Sequence, residues 1–232
     1  MINKDKIPSK SNIVDINTVD SKDNIAINKG SSDFMSEKYY TKKIFDAQDF
    51  KKFVKKVESI IRYSTPYKQY IAILKDEYKL TECAVMGGID DDMASIEFHH
   101  YPFSLYDIVS IVLKKKLNNG EKVSTLTVAQ EVVELHFQNK VGVVSLSITA
   151  HELAHDGNLF INMSQVFGKV DSFMKSYLKE ISLEQIKNYN KLIELSKSND
   201  TDDNGFLKVD IQDNRGSLEK ISLLDVSKAK KK

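Results

Sequence analysis

Apolar positions begin to recur with helical spacing at Ile44. Phe45, Phe50, Phe53, Val54, Val57, Ile60 and Ile61 fall on one face of a 3.6-residue repeat, and Lys51, Lys52, Lys55 and Lys56 fall largely on the other. The spacing predicts an amphipathic helix whose lysine face is solvated. Ser64-Thr65-Pro66 marks a boundary, because proline suits the first turn of a new helix. Residues 67–78 then read as a short helix with Tyr70, Ile71 and Leu74 inward. The period changes next. Residues 82–86 read as a strand, 87–92 as a turn, and 94–100 as the returning strand of a hairpin, with Ile96 and Phe98 on one face and Glu97 and His99 on the other. Asp90, Asp91 and Asp92 lack the spaced ligands of a calcium loop and read as a hairpin tip.

Beyond Pro102 the helical period returns. Residues 104–117 form a strongly apolar stretch stopped by Asn118-Asn119-Gly120, and 127–137 form a second helix that carries His136. Residues 141–146 read as a short buried strand. A helix bearing His151 and His155 follows and ends at Gly157, a residue suited to the C-terminal cap. Residues 164–178 are expected to be helical. Ser182-Leu183-Glu184-Gln185 has the spacing of a capping box and opens a last helix to about residue 196. Residues 1–40 and 199–232 are polar and without period, so they are expected to be a disordered N-terminal arm and a flexible basic tail. The pattern predicts one α+β domain over residues 41–198. It is mostly helical, built around a small antiparallel hairpin and a strand–strand–helix site.

Composition narrows the class of protein. The chain has 232 residues, is 41% hydrophobic and carries a formal net charge of +1. That is enough apolar content for a normal core, and no global electrostatic pull toward nucleic acid or membrane exists. The single cysteine, Cys83, is expected to be a small buried residue, and one cysteine excludes an intrachain disulfide. That usage predicts a reducing, cytoplasmic setting, the host cytoplasm if the chain is viral. No apolar run approaches the roughly 18 residues of a membrane span, and no secretory signal opens the chain.

The candidate chemistry lies between His99 and Gly157, which holds all five histidines. Four fall in two pairs, His99-His100 and His151-x-x-x-His155. Neutral imidazole is the commonest protein ligand for zinc, and two histidines four apart on a helix project from one face. The lone His136 reads as structural rather than as a ligand. Two chemical readings share the pairs. In the first, His99, His151 and His155 hold one divalent ion (Zn2+, Mg2+, Mn2+ or Ni2+). His100 acts as general base on a water that attacks a phosphodiester. In the second, His151-Glu152-Leu153-Ala154-His155 is an H-E-x-x-H zinc peptidase motif with Glu152 as base. The short helix and the missing downstream ligand weigh against the peptidase. Thr149 and Glu152 also have capping-box spacing.

Three segments carry a family likeness: Glu97-Phe98-His99-His100-Tyr101-Pro102-Phe103, then Gly142-Val143-Val144-Ser145-Leu146-Ser147, then His151 to Gly157. Together they resemble the HNH, or ββα-metal, endonuclease superfamily, closest to the nuclease domains of DNase colicins. The resemblance spans about a quarter of the chain and implies a metal-dependent enzyme that cuts DNA. It assigns His99, His151 and His155 as metal ligands, His100 as the base, and Asn139 as the residue that orients it, with Asn158 a weaker match. The chain departs from the family by an insertion, residues 104–137, between the two halves of the motif. The inserted form suggests a bacteriophage source. Two further readings stand beside it: a viral structural or interaction protein with a structural metal site, and a hydrogen-bonded histidine cluster that binds no metal.

Overall fold

The computed structural model describes residues 38–41, 46–198 and 223–231. The expected N-terminal arm therefore lies, for residues 1–37, outside the described residues. The chain divides into two units after Lys38, and every element named belongs to the second, which begins at Tyr39. The fold is α+β and mostly helical, with a two-stranded antiparallel sheet.

Helix α1 (Ala47–Tyr63) is capped by Asp46, and it buries Phe53, Val54, Val57 and Ile61 as the periodicity requires. Helix α2 (Thr65–Asp76) starts at the cap Ser64 with Pro66 in its first turn. After β1 (Ile96–His100), the insertion folds as two helices, α3 (Leu105–Asn118) and α4 (Thr125–Phe137). Ser104 and Asp107 form a reciprocal capping box at α3, and Ser124 and Thr127 do the same at α4. Helix α1 packs across both, making the core of buried Val, Ile and Leu side chains.

Strand β2 (Val143–Ser147) returns from the insertion and pairs with β1 in the register Ile96↔Ser147 through His100↔Val143. All five residues of β2 are buried, because it is flanked on its far side by Phe167, which bridges Val143, and by Ala84, whose N–H donates to the Ser145 carbonyl. The expected hairpin over 82–100 is thus corrected. Residues 82–86 form no strand of the sheet: Glu82 makes an isolated bridge to Asp90, Ala84 one backbone hydrogen bond to β2, and the partner of β1 comes from beyond the insertion. Cys83 is buried as expected.

Helix α5 (Ile148–His155) follows β2 directly, capped by Ser147 and stopped at Gly157, whose φ of +73° is the left-handed value glycine tolerates. Thr149 lies inside this helix, so the Thr149–Glu152 capping box does not form. The helix expected over 164–178 is shorter: a 3-10 turn (Met163–Gln165) and then α6 (Val170–Ser176). Helix α7 (Leu183–Ser198) opens with the expected box, Ser182 and Gln185 exchanging both hydrogen bonds. Of the expected flexible tail, residues 199–222 lie outside the described residues, and its end is corrected. Residues Leu223–Lys231 form α8, with Val226 1% exposed and Lys230 Nζ donating to the Ile181 carbonyl.

Candidate metal centre

The site is set by the alternation of β1 and by the way α5 lies over it. Ile96 and His100 turn into the core, while Glu97 and His99 share the opposite face. Helix α5 contacts both strands and presents His151 and His155, one turn apart, to that face. The imidazole nitrogens of His99, His151 and His155 offer three donors that lie within 4.8 Å of one another. Their ring centroids are 5.0, 4.8 and 4.6 Å apart. A tetrahedral zinc site with bonds of about 2.0–2.1 Å sets its donors about 3.4 Å apart. Small side-chain rotations therefore close this cluster on an ion.

Glu97 completes the arrangement. Its Oε2 lies 2.5 Å from His151 Nδ1, so the carboxylate accepts that proton and leaves Nε2 of His151 with its lone pair free. A carboxylate behind a ligating histidine is the usual outer partner of such a ligand. Burial, together with the neighbouring His151 and His155, lowers the pKa of His99 to about 4. His99 is neutral at pH 7, the form a metal requires. The donors fit a transition-metal ion. All three are imidazole nitrogens, which suit zinc or nickel better than magnesium or manganese.

His100 is not part of this cluster. The strand runs straight through it, so it points to the side away from His99. There it is buried, with Nε2 2.9 Å from Nε2 of His136. His136 Nδ1 lies 2.7 Å from the Val132 carbonyl, which only accepts; Nδ1 therefore carries the proton, and Nε2 of His136 accepts from His100. Tyr67 stacks on His100, and Tyr70 meets His136 edge-on. Burial pushes His100 well below its ordinary pKa and His136 down to about 4. The expected base thus sits in an aromatic core pair, away from any solvent-facing water.

Asn139 does not orient His100 either. It holds the turn before β2, at φ +52°, and its side-chain amide donates to the Tyr78 hydroxyl. Asn158 lies beyond the α5 cap, where its N–H donates to the Leu153 carbonyl. Glu152 is exposed beside the cluster, whose third histidine comes from β1 upstream rather than from the downstream helix a peptidase needs. Sequence reasoning gave Glu97 no role. The available signal was its position two residues before His99, on the same strand face.

Fold and site define a mostly helical α+β protein with a candidate three-histidine metal centre between a strand and a short helix. A family model for Bacteriophage G278-like virion proteins matches residues 1–225. The chain belongs to that family. No curated protein and no solved structure matches it.

Proposed function

We propose that this virion protein holds one transition-metal ion, zinc by the chemistry of its donors, at His99, His151 and His155, and that the ion serves as a structural clasp. The carrying observation is the convergence of three imidazoles from two elements, with Glu97 behind His151. Helix α5 has eight residues, too short to be stable alone, and of these only Ala150 is buried. An ion bound to His99 as well as to the two α5 histidines supplies what packing does not, because binding energy is also folding energy. The position of His100 in the core supports a non-catalytic role.

Metal analysis of protein purified without a histidine tag tests this. One equivalent of zinc is expected in wild type and none in His155→Ala. The melting temperature of the variant should match that of chelated wild type. Protein that takes up no zinc, or whose melting temperature ignores it, overturns the proposal.

A second reading, DNA cleavage, is favoured by one observation. The order β1, β2, α5 presents three imidazoles on an open side, with His155 exposed. Nicking of supercoiled plasmid by wild type but not by His155→Ala would replace the structural reading with this one.

A further inference from the structure

Helix α1 carries a feature that the metal centre does not use. Taking about 100° per residue, Lys51, Lys55 and Arg62 fall within about 40° of one another around the axis, and Lys52, Lys56 and Tyr63 form a second row about 100° away. All six are exposed, and Tyr63 is 79% exposed, an aromatic ring turned to solvent. Among the described residues none of the four lysines is in an ion pair. The half-buried Glu58 lies in the first row, within reach of Lys55 and Arg62, and Asp49 lies beside the second; five cations against these two carboxylates leave the face positive. The chain as a whole carries a formal charge of only +1, so this face holds a local excess of positive charge on a nearly neutral protein. The positive charge of Arg62, at the end of the rows, reaches His99 and His100.

We infer that this face of α1 binds the sugar-phosphate backbone of a nucleic acid strand, with Tyr63 stacking on an unpaired base. From Lys51 to Tyr63 the helix rises about 18 Å, long enough to lie along several consecutive phosphates of one strand. A run of exposed cations that ends at an exposed ring is the combination single-strand binding uses. A virion encloses nucleic acid, which supplies the polyanion. The inference is independent of the metal centre, so it is tested with chelator present.

Fluorescence anisotropy of a labelled oligothymidylate and of a matched duplex, across a salt series, reads it out. Wild type should bind the single strand more tightly, with strong salt dependence. Lys51→Gln/Lys55→Gln/Lys56→Gln keeps helix propensity and should lower the log–log salt slope by about 2. Tyr63→Ala should weaken the single-strand complex roughly 5- to 100-fold and the duplex little. The same charge change on α7, Lys187→Gln/Lys191→Gln/Lys197→Gln, should leave binding unchanged. Absence of binding by wild type, or equal loss in the α7 control, overturns the inference. So does tighter binding to anionic phospholipid vesicles that the oligonucleotide does not compete away, which would make the face a lipid surface.

Discussion

Two histidines adjacent in sequence do opposite things. His99 faces the cluster; His100, one residue on, is locked against His136. The histidine pairs themselves were plain in the sequence. The direction of His100 was legible only through the alternation rule, and its assignment as a base beside His99 would need the strand to end before it. The strand instead continues through His100, so alternation wins. The buried pair has a consequence for acid stability. His136 has a folded pKa near 4 against an ordinary 6.5. Between those values the unfolded chain takes up a proton that the folded chain refuses, so stability present above pH 6.5 is lost as pH falls toward 4. The bound is roughly 3 kcal/mol for one such group, and His100 acts in the same direction. Urea midpoints in chelator should fall from pH 7.5 to pH 4.5, and His136→Gln should show a shallower dependence. An identical slope in the variant would remove His136 as the cause. Gly142 is a second sensitive position. A Cβ there would run into the Tyr101 carbonyl and come within 2.7 Å of Val170 Cγ2. Gly142→Ala should cost about 3 kcal/mol, measured by the same denaturation.

At the level of elements, caps and amphipathic helices were readable because their signals are local: Ser182 and Gly157 both act where the sequence places them. Strand pairing was not. The apolar run at 83–86 looks like a hairpin partner, yet β1 pairs across the whole insertion with β2, and nothing in a local pattern reports so distant a neighbour. Helix α8 was hidden for a different reason, since Val226, buried in a lysine-rich segment, shows no apolar period around it in the sequence. Helix α5 is where metal should matter most. Its amides should exchange with solvent readily in chelator and gain protection with zinc, while those of α3, buried along most of its length, should not change. Equal protection of α5 in both conditions would show that packing alone holds it.

For the whole molecule, the class and the extent of the helical core followed from periodicity, whereas the C-terminal boundary did not. Truncation after Ser198 removes α8 and uncovers the site of Val226. Losing a buried valine is worth roughly 1.5–3 kcal/mol, so the melting temperature should drop by about 4 °C or more. An unchanged melting curve would mean that α8 contributes nothing to the domain. The insertion has a consequence of another kind. The turn at Asn118-Asn119-Gly120 is exposed, and it divides the chain so that β1 and His99 lie before it, with α4, β2 and both α5 histidines after it. Neither half owns a complete ligand set. Two separately made fragments, cut at Asn119, should therefore hold zinc poorly apart and tightly when mixed, so that retained metal reports the reassembly of a severed chain.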